Sequence, residues 1–403
     1  MDPTKMRQDF PVLNKKSDKP LIYFDNACMT FRPVQVINAI IRYYEEFPAC
    51  GERSKHKLGA KVTEEVDAAR KAVKDFLGAK NEKEIIFTKN TTEGINLVAN
   101  SLGLKSGDVV LTTDREHNSN LLPWQKLAKL GVKHEMVRSK PDGTFDLEAF
   151  EKRLDRSVRL VSMVHTSNLD GYTLPVEKII KVAHDWGALV MLDAAQSVPH
   201  KEVNVGKLGV DFLACSGHKM MGPSGTGILY GKYDLLDKMS PFIVGGGTVS
   251  DSSYASATYE KPPEKFEAGL QDYAGIMGLA EAARYLDKIG RRNVEQHEIE
   301  LNKIITKGLL NLNGISLIGP QDAALRSGII SFNVGKAGSH EVALMLDKNY
   351  NIAVRSGAHC VHSWFNAHNL KGSVRASLYA YNTKEECAVF LDAMQKIVKV
   401  LVR

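Results

Sequence analysis

Ala188-Leu189-Val190-Met191-Leu192-Asp193 and Phe212-Leu213-Ala214-Cys215-Ser216 are two short, almost wholly apolar runs, and each closes on a polar side chain. A strand with one face in water alternates apolar and polar residues. A run without that alternation fits a strand covered on both faces, as in a mainly parallel sheet flanked by helices. Working outward, comparable runs occur at Glu84–Phe87, Val109–Thr112, Leu160–His165 and Gly225–Tyr230. Helical patterns separate them. Val62, Val66, Ala69, Val73 and Phe76 mark one face of Val62–Leu77, and further helices are expected at Thr92–Leu102, Asn118–Leu130 and Pro175–Trp186. The last opens on proline, which suits a first helical turn. Strand–helix alternation of this kind predicts a doubly wound α/β domain.

Beyond Tyr230 the pattern loosens. Gly245-Gly246-Gly247, a polar stretch and Lys261-Pro262-Pro263 read as a surface loop excursion. From about Arg291 come a long polar helix, a strand at Gly328–Val334, a helix at Ser339–Tyr350, two strand-like runs and a closing amphipathic helix, Thr383–Leu401. The expected division is a large α/β domain over 18–290 and a smaller α+β domain from 1–17 with 291–403. The 403 residues are 43% hydrophobic and 25% charged, and 53 basic residues against 47 acidic ones leave a net charge of +6. No Lys/Arg run with interleaved aromatics forms a nucleic-acid stripe. Five scattered cysteines (Cys28, Cys50, Cys215, Cys360, Cys387) argue against a disulfide framework and for a reducing compartment. The first ten residues carry charges without an apolar h-region, and no stretch nears the roughly 20 apolar residues of a membrane span. A cytoplasmic protein is expected.

Ligands of doubly wound sheets bind beyond the carboxyl ends of the strands. There Thr91-Thr92-Glu93-Gly94 opens a helix, His117 follows Val109–Thr112, and Asn168 follows Leu160–His165. Asp193 ends its strand, and Ser216, His218 and Lys219 follow Phe212–Ser216. Each has an ordinary reading: a helix cap, a turn-forming Asp, a hydrogen-bonded loop His, a polar turn. Together they match the needs of pyridoxal 5′-phosphate (PLP). That cofactor takes a lysine for imine formation, an acid beside the pyridine nitrogen, a flat group over the ring, donors at the phenolate and a phosphate cup.

The motifs Thr91-Thr92-Glu93-Gly94-Ile95-Asn96, Glu116-His117 and Leu192-Asp193-Ala194-Ala195-Gln196 occur in order along the chain. Ser216-Gly217-His218-Lys219 and Arg355-Ser356-Gly357-Ala358-His359-Cys360 complete the series. The set resembles the cysteine desulfurase/selenocysteine lyase family, Suf-type, of the class V aminotransferase superfamily of fold-type I PLP enzymes. The likeness runs from about Tyr23 to about Thr383. It implies that Lys219 holds the cofactor and moves the Cα proton, that His117 stacks on the ring, and that Asp193 pairs with the pyridine nitrogen. Gln196 and Asn168 are placed at the phenolate side, and Thr92, Ser216 and His218 at the phosphate. Arg375, Arg355 and Asn26 go to the substrate, and Cys360 is the sulfur nucleophile. Arg355 and the histidines near Cys360 would favour a thiolate. A metal set of His359, Cys360 and His362 has no second ligand pair nearby in sequence.

Two departures stand out. Ala358 replaces the first of two histidines before the nucleophile. Leu270 replaces a threonine that reaches the other subunit's phosphate, with Gln271 adjacent as a substitute. Cys50, near Arg53 and His56, has no counterpart in the pattern. The resemblance implies a homodimer that turns L-cysteine into L-alanine, leaves a persulfide on Cys360, and passes sulfur to an acceptor or iron–sulfur scaffold protein. Selenocysteine lyase, a class V aminotransferase or PLP lyase without persulfide chemistry, and a catalytically silent sulfur carrier are the alternatives.

Overall fold

The computed structural model describes residues 2–52 and 54–402; Met1, Arg53 and Arg403 lie outside the described residues. The apolar runs assemble into a seven-stranded sheet. Its spatial order is Ile85–Thr88, Gly227–Gly231, Phe212–Ser216, Leu189–Asp193, Val158–Val164, Val109–Thr113 and Lys133–Val137. The five strands from Phe212–Ser216 to Lys133–Val137 are mutually parallel, and Gly227–Gly231 runs antiparallel to both of its neighbours. The central strands are buried along both faces, which is why their sequences lack alternation. Two apolar clusters flank the sheet. One holds Val73, Phe76, Val161, Leu213 and Leu279, the other Ile95, Val98, Trp124, Met191 and Phe212.

Lys133–Val137 escapes a reading based on apolar runs because it is a half-exposed edge strand of mixed polarity. The helix expected over Asn118–Leu130 is broken into a 3-10 turn at Asn118–Asn120, a helix at Leu122–Lys126 and another 3-10 turn at Leu127–Leu130. Pro123 lacks an N–H and sits at the start of the middle piece, so the backbone restarts there. The Gly-rich excursion carries a small hairpin, Val249–Ser252 against Ala257–Tyr259. The helix Tyr273–Ile289 then returns the chain into the large core.

The second sheet has the order Ile22–Phe24, Ile352–Gly357, Ser373–Ser377, Ile329–Val334, Ile315–Ile318. It packs on the helices Arg291–Leu310 and Lys384–Leu401 around Leu301, Phe332, Phe390 and Met394. This corrects the expected boundary at residue 17. Ile22–Phe24 pairs in parallel with Ile352, Ala353 and Val354, so the N-terminal share of the small domain extends through Phe24. Met6 and Phe10 meanwhile pack into the large core. Among the described residues no helix is long and apolar enough to cross a membrane.

Candidate active site

The carboxyl edge of the large sheet and one end of the small sheet enclose a cavity of about 230 Å3. It is lined by Thr92, His117, Asn168, Asp193, Gln196, Ser216, His218, Lys219, Arg355, Cys360 and Arg375, eleven of the thirteen expected site residues. Lys219 sits in the 3-10 turn Gly217–Lys219 at the end of its strand. That turn needs glycine at 217, because a Cβ there would lie 2.2 Å from Thr226 Oγ1. Burial lowers the Lys219 pKa, with the Asp193 carboxylate opposing and Arg375 assisting. A buried lysine that loses its proton readily is a nucleophilic amine.

Asp193 lies on the neighbouring strand, buried, with Oδ1 accepting from the Ala195 N–H at 3.0 Å. Burial raises its pKa, while that N–H and Lys219 hold it down. His117 caps the turn after Val109–Thr113. Its Nδ1 accepts from the Ser119 N–H at 3.0 Å, which leaves the ring proton on Nε2. Burial, with Lys219, Arg375 and His362 adding, lowers the His117 pKa to about 3, so the ring is neutral at pH 7. Glu116 braces this turn, accepting from Thr113 Oγ1 at 2.5 Å, Asn120 Nδ2 at 2.7 Å and the Val164 N–H at 3.1 Å.

The helix Thr91–Ser101 starts at the far wall, capped by the Asn90 side chain on the Glu93 N–H at 3.0 Å. Asn90, rather than a threonine, is therefore the cap. Thr91 and Ser216 share a 2.6 Å hydroxyl contact, and Thr92 meets Ser119 at 2.7 Å. The Thr91 N–H also donates to Ser216 Oγ at 2.9 Å, and these hydroxyls at the helix start form a polar cup. Burial, aided by Lys219 and Arg32, lowers the His218 pKa to about 4.

Four cavity-lining side chains keep a buried polar atom without a partner: Gln196 Oε1, Asn168 Oδ1, Arg375 Nε and His359 Nδ1. Gln196 Nε2 donates to Ala27 O at 2.7 Å, and Asn168 Nδ2 donates to His359 O at 2.9 Å. Each amide nitrogen has a second hydrogen to offer. Arg375 Nη1 donates to Asn168 O at 3.0 Å, and Nη2 lies 3.6 Å from Asp25 Oδ1. The free guanidinium edge is left for a ligand.

Cys360 is exposed, on a loop from the small domain. His359 and Cys360 both adopt left-handed backbone, φ 49° and 60°, a conformation that costs non-glycine residues of order 1–3 kcal/mol each. The loop is held by the Asn118 N–H on Cys360 O at 2.8 Å, by Asn168 on His359 O, and by the Val361 N–H on Ala358 O at 2.7 Å. His359 is buried with Nε2 and Ser373 Oγ 2.8 Å apart, and His362 Nδ1 lies 3.0 Å from Asn118 Nδ2. Among the described residues no group of three His, Cys, Asp or Glu is placed to hold a metal. Ala358 packs beside Leu169, Val361 and Phe365, where a histidine would place a polar ring against an apolar cluster.

Two expected residues fall outside the cavity. Asn26 is fully buried, and its amide is consumed by Tyr23 O, Ser377 O, Asn382 Oδ1 and the Tyr381 hydroxyl. It ties the turn after Ile22–Phe24 to Ser377, Tyr381 and Asn382 and has no capacity left for substrate. Gln271 lines a different cavity, and its Nε2 donates to Ala268 O and Gly269 O at 3.2 and 3.3 Å. Within one chain it therefore does not join Lys219. Cys50 lines a third cavity, and His56 caps the helix Lys57–Leu77 through the Gly59 N–H. Sequence reasoning did not assign Cys28, Asn90, Thr91 or Ser119 to the cavity they line. Thr91 lay inside a quoted motif and Asn90 beside it, so adjacency was the available signal for those two.

A sequence profile of the aminotransferase class-V family matches residues 22–390. The chain is 42% identical over 405 residues to a probable cysteine desulfurase of Pyrococcus abyssi, covering 99% of this chain and 98% of that one. It is 39% identical over 403 residues to a cysteine desulfurase of Escherichia coli K12, covering 98% of each. The apo structure of a cysteine desulfurase from Thermococcus onnurineus NA1 superposes with a TM-score of 0.94 at 42% identity, covering 99% of this chain and 98% of that one.

Proposed function

Since the chain belongs to the class-V aminotransferase family, we infer that it is a PLP-dependent cysteine desulfurase, taking L-cysteine to L-alanine with sulfur left on Cys360. The observation that carries this reading is that Cys360 shares one cavity with a buried Lys219, Asp193 and Arg375. An aminotransferase has no use for a thiol there.

The residues present fit the cofactor. Unpartnered buried atoms on Gln196, Asn168 and Arg375 mark a cavity built for a polar ligand. Asp193 would hold the pyridine nitrogen, Thr92, Ser216 and His218 the phosphate, and Lys219 the aldehyde carbon. Bound there, PLP supplies an electron sink for breaking bonds at the substrate Cα. The chain's own groups do the rest. Arg375 binds the α-carboxylate through its free edge, as a guanidinium fork matches a carboxylate. Arg355, half exposed and 3.8 Å from Asp25 Oδ2, supports the same end. Lys219 takes and returns the Cα proton from its neutral amine. His117 would lie against the cofactor ring, with its Nε2 proton available to donate. Cys360 then attacks the substrate sulfur, which separates C–S cleavage from sulfur delivery.

The protein acts as a homodimer in this reading. Leu270 is 74% exposed, and Ile243, Val244 and Tyr254 on the same excursion are exposed too, apolar surface that a partner subunit would cover. Gly269-Leu270-Gln271 would then complete the partner subunit's phosphate cup, with the Gln271 amide in place of a hydroxyl. The exposure of Cys360 supports transfer to an acceptor protein, for iron–sulfur cluster assembly in the cytoplasm. The free state of all five cysteines accords with a reducing compartment. The test is to incubate PLP-loaded protein with L-cysteine and a reductant, and measure alanine and sulfide together. Equal amounts support the reading, and pyruvate or a transaminated product in place of alanine overturns it.

A further inference from the structure

The cavity holds a second thiol. Cys28 lies on the turn after Ile22–Phe24, its N–H donating to Asp25 O at 3.1 Å, and its half-buried side chain lines the same cavity as Cys360. Arg355 Nη1 donates to Cys28 Sγ at 3.4 Å. Both thiols lie near enough to the Lys219 amine to act on it electrostatically. The remaining cysteines are elsewhere. Cys215 and Cys387 are buried, with thiol pKa values pushed up to about 12, and Cys50 lines another cavity. The two thiols that share a space therefore share the one where sulfur is released. The unpartnered Arg375 Nε, Gln196 Oε1 and Asn168 Oδ1 show independently that this space is built for a ligand.

A persulfide is electrophilic toward any thiolate that reaches it, and exchange proceeds by in-line attack on one of its sulfurs. Resting on the desulfurase reading, we propose that Cys28 is a second sulfur-carrying site, which takes the sulfane sulfur from Cys360 and frees Cys360 for another turnover. The Cys28 sulfur attacks the outer sulfur of the Cys360 persulfide. A new S–S bond forms on Cys28 as the one on Cys360 breaks, and Cys360 leaves as a thiolate that takes up the proton given up by Cys28. The transferred sulfur keeps its oxidation level, so the step needs no oxidant or reductant. Arg355 holds the negative charge on Cys28 during the exchange. Its guanidinium also lies 3.8 Å from the Asp25 carboxylate, which in turn lies 3.6 Å from Arg375, the residue assigned to the substrate carboxylate. The relay site thus lies at the substrate-carboxylate end of the cavity.

The experiment is a rapid quench of PLP-loaded protein with L-cysteine and no other thiol, followed by alkylation, alanine counting and peptide mapping. The unaltered protein should release a burst of about two alanines per active site, against about one for Cys28→Ser, because each thiol stores one sulfur. In the unaltered protein the Cys28 peptide should gain one sulfur atom. In Cys360→Ser it should gain none, since Cys28 is filled only through Cys360. Sulfur confined to the Cys360 peptide with equal bursts would overturn the proposal, as would a Cys28–Cys360 disulfide or sulfur on Cys28 in Cys360→Ser. The mapping of unaltered protein decides the matter even if the variants fold poorly. No alanine and no sulfur on either peptide would remove the desulfurase reading itself, and the relay with it.

Discussion

Replacing Arg375 by lysine keeps a cation at the buried end of the cavity but removes the fork. Arg375 sits mid-strand in Ser373–Ser377, opposite Arg355 on one neighbour and Ser331 on the other, so its backbone position is fixed. Its side chain spans from Asn168 O, 3.0 Å from Nη1, to Asp25 Oδ1, 3.6 Å from Nη2, and Nε is unpaired. A lysine ammonium can stay near Asp25 and offer one bond to a substrate carboxylate where the guanidinium offers two. One charge-assisted hydrogen bond is worth about 1.5–3 kcal/mol. The loss in kcat/KM for L-cysteine should therefore be roughly ten- to 150-fold. The assay is sulfide release in the presence of a reductant, across substrate concentration for Arg375 and R375K proteins, run beside cysteamine, which is cysteine without its carboxylate and would leave ethylamine in place of alanine. Cysteamine never makes the contact, so the preference for cysteine over cysteamine should shrink by the same factor. An R375K protein with unchanged kcat/KM, or one that loses equally on cysteamine, would refute the assignment of Arg375 to the carboxylate.

Three further outcomes follow from named contacts. Lys219→Ala should lose the visible absorbance of lysine-bound cofactor and all turnover; in the unaltered apo-protein, the rate of PLP capture should rise with pH through a midpoint below 10.5, because burial lowers the Lys219 pKa and the neutral amine is the reacting form. A midpoint at the ordinary lysine value, read by stopped-flow absorbance, would contradict that. Gln271→Ala should speed PLP loss on dialysis while Leu270→Ala changes chiefly dimer affinity by sedimentation, and identical retention in both would remove the intersubunit cup. Arg70→Met strands the buried Glu267 carboxylate, which now accepts from Arg70 at 2.8 Å and from the Phe87 N–H at 2.7 Å; urea unfolding should show a loss of about 3–5 kcal/mol, and a loss under 1 kcal/mol would show that the pair is dispensable.

Much of this site could be read from the sequence because parallel strands advertise themselves as unbroken apolar runs and their carboxyl ends fall on one edge. His117, Asn168, Asp193 and Lys219 were identified by that logic, and the cavity gathers them. What escaped depends on pairing. Ile22–Phe24 is too short to name its sheet, and only its register with Ile352–Val354 assigns it to the small domain. Asn26 looked free because sequence cannot show that four partners already use its amide. The polar edge strand Lys133–Val137 and the hairpin in the Gly-rich excursion carry no apolar run to find. For Cys28, nothing linear says that Arg355, far along the chain, donates to its sulfur.

The central claim, that Cys360 accepts sulfur from cysteine in a PLP site, is tested most directly by Cys360→Ala. The cavity's proposed cofactor contacts come from other residues, so the variant should keep the cofactor's absorbance spectrum and still show the spectral change on adding L-cysteine. It should release neither alanine nor sulfide, because nothing remains to attack the substrate sulfur. Full alanine release by Cys360→Ala would leave the PLP site standing and contradict the desulfurase account.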